Sequence, residues 1–193
     1  MPADPWLERW LPLIAARAGA DPVFEIGCGY GDDTAVLAGA GLRVAAFDLS
    51  RVAVAAARLR APSATIACRD VRDPFPESIR EIGVAVASLS LHYFPWAETR
   101  ALVRRIHAVL RPGGLLLCRL NSTEDRNFGA HGHPQIEPDY FLVDGQPKRF
   151  FDRDAVCSLF ADGWALLSLE HCVTRKYVAA KALWEAVLER REA

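Results

Sequence analysis

At 193 residues the chain can bury one substantial core and leave a cleft, and it is too short for a second full domain. Hydrophobic residues make up 51% and charged residues 24%, a globular balance that excludes a disordered chain. Lys plus Arg number 23 against 24 Asp plus Glu, so a formal net charge of −1 gives no reason to expect a nucleic-acid partner, and a small-molecule substrate is the expected one.

Short aliphatic runs alternate with longer amphipathic ones, the pattern of βαβ units around a parallel sheet. The opening MPADPWLERW has no basic region leading into an apolar run, so no signal peptide is expected, and Pro5 to Ala18 reads as a helix with Trp6, Trp10, Leu13 and Ile14 on one face. Val23 to Ile26 reads as a strand, and Asp32 to Ala38 as a helix entered through a glycine-rich turn. Arg43 to Phe47 is the second strand, followed by an alanine-rich helix from Arg51 to Arg60. Strands follow at Thr65 to Cys68 and Val84 to Ser88, then a helix from Glu98 to Leu110. RPGG ends that helix and turns into the strand Leu115 to Leu120.

Periodicity fails from Asn121 to Arg149, which predicts a substrate-side loop insertion within a single domain spanning residues 1–193, whose N-terminal helix lies within 1–20. A helix from Asp152 to Phe160 and strands near Ala165 to Cys172 and Ala182 to Leu188 complete the chain. The last two strands should form a short antiparallel hairpin at one edge of the sheet.

No run approaches the ~18 apolar residues of a membrane span, so no membrane partner and a cytoplasmic location are expected. The five cysteines, Cys28, Cys68, Cys118, Cys157 and Cys172, are scattered without a CxxC pair. They read as small buried residues in a reducing compartment rather than as a disulfide or zinc framework.

The segment VFEIGCGYGDDT sets Gly27, Gly29 and Gly31 after an apolar strand and before a helix, where the backbone can turn tightly and pass close to a ligand. Asp32 stands where a dinucleotide fingerprint needs its third glycine, and Glu25 lies two residues ahead of the loop. Such carboxylates repel a pyrophosphate and suit a phosphate-free cofactor with an α-ammonium group. Asp48, ending the second strand, can accept both hydroxyls of a ribose. Asp70, after the third, can accept the exocyclic amine of adenine, with Val71 as an apolar wall.

FEIGCGYGDDT, FDLS, CRDV, VASLSLHYF and LRPGGLLL together resemble the successive motifs of class I S-adenosylmethionine-dependent methyltransferases, over about Val23 to Leu120. KALWEAVLER also resembles the closing strand of bacterial small-molecule members. The resemblance implies an α/β fold with a doubly wound, mostly parallel, seven-stranded Rossmann-like sheet, an antiparallel last strand, and helices on both faces. S-adenosylmethionine would be the cofactor and S-adenosylhomocysteine the product. Glu25, Gly27, Cys28, Gly29 and Gly31 would surround the methionine part; Asp48 and Leu49 the ribose; Asp70 and Val71 the adenine; Ser88 and Leu89 would border the cofactor after the fourth strand. Gly83 departs from the pattern, since many relatives carry an acidic residue there.

The implied function is methyl transfer to a small-molecule acceptor. The alternatives are a non-catalytic S-adenosylmethionine-binding module or a nicotinamide-dependent Rossmann oxidoreductase, the latter disfavoured by Asp32 and Glu25. His92 and Tyr93 follow the fourth strand and could orient a substrate or accept its proton, or could cap the strand and pack. Asn121 and Ser122 end the fifth strand toward the same cleft, with loop hydrogen bonding the ordinary role for Ser122. His131 and His133 read as polar loop residues, so no metal site is expected. Trp6 and Trp10 read as packing, and Arg100, Arg104, Arg105 and Arg111 as a solvated face.

Overall fold

The computed structural model describes residues 5–192. A 3₁₀ turn at Glu8–Trp10 leads into α1 (Leu11–Ala18) and β1 (Val23–Ile26). Then come α2 (Asp32–Gly39), β2 (Val44–Asp48), α3 (Arg51–Arg60), β3 (Thr65–Cys68) and β4 (Ile82–Ser88). A second 3₁₀ turn at Leu91–Tyr93 precedes α4 (Trp96–Val109) and β5 (Leu110–Asn121). β6 (Gln135–Glu137), β7 (Tyr140–Val143), β8 (Gln146–Arg149), α5 (Arg153–Leu159), β9 (Trp164–Thr174) and β10 (Lys181–Arg190) complete the chain order.

The main sheet runs β3-β2-β1-β4-β5-β10-β9, parallel except for β10, which is antiparallel to both its neighbours. This is the expected doubly wound sheet, and its strand order reverses between β1 and β4, where such sheets open a crevice at the carboxyl ends of the strands. β1 and β4 read as near-continuous apolar runs because both faces are covered. α4 and α5 bury Leu102, Val103, Ile106, Val156 and Leu159 on one face. α1, α2 and α3 bury Ile14, Leu37, Val54 and Ala57 on the other.

Five expectations need correction. The helix predicted from Pro5 begins only at Leu11, with Pro12 in its first turn, where a missing N–H costs nothing; residues 1–4 of the N-terminal segment lie outside the described residues. Trp6, ahead of it, is buried, donates to Asp33 Oδ1 (3.0 Å) and lies under the Arg119 guanidinium at 4.7 Å. RPGG is no turn but part of β5, accommodated by a register shift opposite Ile82 and Val84. Of the five free cysteines only Cys28 and Cys118 are buried; Cys68 and Cys157 are exposed.

The largest correction concerns 121–149, which carries its own three-stranded antiparallel sheet, β6-β7-β8. Asp144 (φ 51°) and Gly145 (φ 76°) form the two-residue connection between β7 and β8, the left-handed pair that matches hairpin twist. Buried Arg149 rivets this sheet to the domain: it donates to the carbonyls of Phe94 (3.2 Å) and Pro138 (3.1 Å) and pairs with Glu137. Tyr140 adds a bond from its hydroxyl to the Tyr93 carbonyl at 2.9 Å.

The arginines are not a simple solvated face either. Arg105 donates to the carbonyls of Val71 (3.0 Å), Arg72 (3.2 Å) and Asp73, clamping the loop after β3. Arg111 reaches Asp21 and the Arg17 carbonyl at the end of α1. That carbonyl also explains Gly83: a Cβ there would overlap it, so no acidic side chain fits.

Candidate functional site

β1 stops at Ile26 because Gly27 (φ 72°) takes a left-handed conformation that turns the chain across the sheet edge. A Cβ on Gly27 would come within 2.5 Å of Ser90 Cβ, so the loop after β1 and the loop after β4 touch. Asp48, at the end of β2, holds the loop from the other side. Its carboxylate accepts from the Gly29 N–H (2.9 Å) and the Ser50 N–H (2.8 Å). Ser50 in turn caps α3, its hydroxyl accepting from the Ala53 N–H at 3.2 Å.

These strand ends open onto a cavity of about 930 Å³. Gly27, Gly29, Asp48, Leu49, Asp70 and Val71 line one part of it, and Ser88, Leu89, His92 and Tyr93 another. Five sequence candidates are not on its wall. Glu25 lies beneath the loop, 2% exposed, accepting the Thr34 hydroxyl at 2.6 Å and so tying β1 to α2. Cys28 points into the core, where burial pushes its thiol up to about 12. Gly31 packs against Ala57 of α3. Asn121 is fully buried and donates to the Arg149 carbonyl at 3.3 Å, so it joins β5 to β8. Ser122 is buried too, bonded to His171 Nε2 at 2.8 Å.

The remaining wall was missed by sequence reasoning. Ser90, Phe128, Lys148, Tyr177 and Lys181 come from the loop after β4, the segment before β6, β8, the connection after β9, and the start of β10. One signal was available: an antiparallel strand between parallel ones begins at the edge where they end, so Lys181 had to lie near the end of β5. Its neighbour Leu183 pairs with Asn121.

Burial, with the positive charges of Lys181 and Lys148, lowers His92 well below its usual range, so the imidazole is neutral at pH 7. It is a weak base but a competent hydrogen-bond partner, and its Nδ1 is buried without one. Burial raises Tyr93, which stays a phenol. His131 is exposed and His133 partly so, and no group of three or more potential metal ligands occurs among the described residues. No helix among them is long and apolar enough to cross a membrane.

Burial pushes the Glu25 carboxyl up to about 8 from an ordinary 4.5. The folded state therefore holds a proton that the unfolded chain releases, and this stabilising contribution, full below 4.5, is lost as pH rises toward 8. Glu25→Gln keeps an acceptor for Thr34 and carries no charge to bury. The variant is expected to be more stable than the parent by roughly 1–3 kcal/mol at pH 8, with the gain shrinking toward pH 5. Urea melts at the two pH values check this; a pH-independent difference would contradict it.

Residues 23–114 match the family model described as a methyltransferase domain. That match spans just under half of the chain and takes in β1 to the start of β5. The chain is 33% identical over 112 residues to an uncharacterized methyltransferase of Synechocystis sp., a match covering 56% of this chain and 52% of that protein. The chain thus spans about half the length of that curated relative. Its fold is similar to that of an S-adenosylmethionine-dependent methyltransferase from Methanosarcina mazei (TM-score 0.79, 18% identity, 94% of this chain and 98% of that one). It is also similar to Burkholderia thailandensis 1,6-didemethyltoxoflavin-N1-methyltransferase with bound 1,6-didemethyltoxoflavin and S-adenosylhomocysteine (TM-score 0.70, 18% identity, 96% and 78%).

Proposed function

We propose that this cavity binds S-adenosylmethionine and that the protein transfers its methyl group to a small-molecule acceptor. The observation that carries the reading is the Asp48 carboxylate, which anchors the Gly29 N–H at 2.9 Å while lining the cavity. A carboxylate has about four lone-pair sites. The Gly29 and Ser50 N–H groups use two, which leaves capacity for a pair of ribose hydroxyls.

The rest of the wall fits the same cofactor. Asp70 accepts the Arg72 N–H at 2.9 Å, and with Val71 it forms the wall proposed for adenine. Gly27 and Gly29 put no side chain between the loop and a ligand. Asp48 at this end is, among the described residues, the wall carboxylate without an arginine partner, and it suits a cationic, phosphate-free nucleoside, while Asp70 is paired with Arg72. Once bound, the cofactor supplies a methyl group already activated by its sulfonium, so the chain's task is positioning and exclusion of water. Neutral His92 and phenolic Tyr93 are proposed to orient the acceptor, and the β7–β8 hairpin covers it through Lys148. The fold likeness to an enzyme bound to 1,6-didemethyltoxoflavin supports a small acceptor.

Calorimetry on the purified protein tests the cofactor. S-adenosylhomocysteine should bind with micromolar affinity, and nicotinamide dinucleotides should give no heat of binding. Tight dinucleotide binding without a response to S-adenosylhomocysteine would overturn the assignment.

A further inference from the structure

Charge is unevenly distributed around the cavity. Asp48 and Asp70 stand at the ends of β2 and β3 with Arg69 and Arg72 beside them, whereas β8 and the start of β10 contribute two lysines, Lys148 and Lys181, and no acid to the wall. Lys181 is 7% exposed, so its ammonium is removed from most of its water. Its nearest acid is the fully buried Asp125, with Oδ2 at 3.8 Å, beyond hydrogen-bond reach. Asp125 is itself fixed, since its Oδ1 accepts from the N–H groups of Asn127 (2.8 Å) and Phe128 (2.9 Å). The acid therefore offsets the lysine's charge without occupying its donors. Lys148 forms no ion pair among the described residues.

The surroundings of the Lys181 ammonium are aromatic. The Lys181 Nζ lies 4.6 Å from the Phe128 ring centre and 5.9 Å from that of Tyr177. Phe128 and Tyr177 meet edge to face at 5.7 Å, and Tyr93 stacks near His92 at 4.2 Å. Burial and the neighbouring Lys148 bring the Lys181 ammonium down to about 8, and the two lysines act together on His92. Two partly desolvated cations with open donors, beside a buried imidazole whose Nδ1 has no partner, are a poor arrangement on their own and a good one around an anion.

We infer that the acceptor is an aromatic acid, its carboxylate or phosphate held between Lys148 and Lys181 and its ring against Phe128, Tyr177 and Tyr93. This rests on the methyltransferase reading of the cavity, whose cofactor end it leaves unchanged. The lysines bind and orient; they take no part in the transfer itself. An anion in that place would also strengthen His92 as a hydrogen-bond donor by offsetting the charges that now disfavour its protonation.

Ligand-observed NMR titration of the S-adenosylhomocysteine-loaded protein tests the inference with benzoate, phenyl phosphate, benzyl alcohol and benzylamine. Benzoate or phenyl phosphate should bind at least 10-fold more tightly than benzyl alcohol, benzylamine should not bind, and the better of the two acids identifies the anion. Lys148→Met should lower the affinity of the preferred acid about 10-fold and Lys148→Arg should retain it, with S-adenosylhomocysteine affinity by calorimetry within twofold of the parent. Lys181→Met should abolish acid binding, and its melting temperature reports whether stranding Asp125 has unfolded it. Benzyl alcohol binding as well as the acids, or Lys148→Met binding them undiminished, would overturn the inference while the cofactor reading stood. Failure of S-adenosylhomocysteine to bind a parent that still binds benzoate through Lys148 would overturn the cofactor reading instead.

Discussion

Asp48→Ala is expected to weaken S-adenosylhomocysteine binding about 100-fold in a protein that still folds. Two losses combine. The proposed ribose hydroxyls lose a charged acceptor, worth about 1.5–3 kcal/mol. The Gly29 N–H loses the 2.9 Å bond that holds the glycine loop in its binding shape, so part of the remaining affinity goes to reordering the loop. Asp48→Asn retains an acceptor oxygen and should recover part of the loss. The same contacts predict little damage to the fold, because Asp48 lies at a strand end and is only partly buried. Calorimetry against the parent, with circular dichroism to confirm folding, decides the matter. Unchanged affinity would reduce Asp48 to a strand-end residue that merely braces the loop.

Gly31→Ala should produce the largest loss of stability, about 2–5 kcal/mol, by two mechanisms acting at one atom. Gly31 has φ 82°, a region costing other residues about 1–2 kcal/mol. Its added methyl would also stand 2.8 Å from Ala57 Cα and 2.9 Å from Ala57 Cβ, so α3 would have to move away from α2. Backbone cannot yield as a flexible side chain does, and overpacking of this kind costs about 1–3 kcal/mol. Gly29, with φ 53° and nothing within 4 Å of its would-be Cβ, isolates the conformational part. Gly29→Ala should therefore cost about 1–2 kcal/mol. Denaturant melts of the two variants separate the contributions; equal losses would mean that the contact with Ala57 is relieved by small shifts.

The parallel half of the sheet was legible because each strand there is a short apolar run followed by a strong local signal. Val23–Ile26, Arg51–Arg60 and Thr65–Cys68 appear where the sequence predicts them, to the residue. β5 was misread at its start because Pro112 and the two glycines after it are turn formers by local preference. Pairing with β4 keeps that stretch in the sheet by means of a bulge. The small sheet in 121–149 was missed although VDGQ carries the strongest two-residue hairpin signal, since β6 to β8 are three and four residues long and too short for periodicity to register. The end of the cavity proposed for the cofactor was readable as wall for a related reason: its residues lie in contiguous motifs. The acceptor end draws Phe128, Lys148, Tyr177 and Lys181 from four separate segments that only the folded topology brings together.

The position of β10 bears on how the molecule is made on a ribosome. β1 to β5, with the glycine loop, Asp48 and Asp70, form a contiguous stretch of chain and can assemble as soon as it has emerged. β9 cannot dock in its native place at that point, because among the described residues its partner in the sheet is β10, which is synthesised after it and must slide between β9 and β5. Synthesis thus leaves an interval in which β5 presents a bare edge, the kind of surface that recruits foreign strands. Lys181 is the first residue of the strand that ends this interval. The half of the pocket proposed for the cofactor can therefore exist before the half proposed for the acceptor, and closure of the exposed edge and completion of that second wall are a single event.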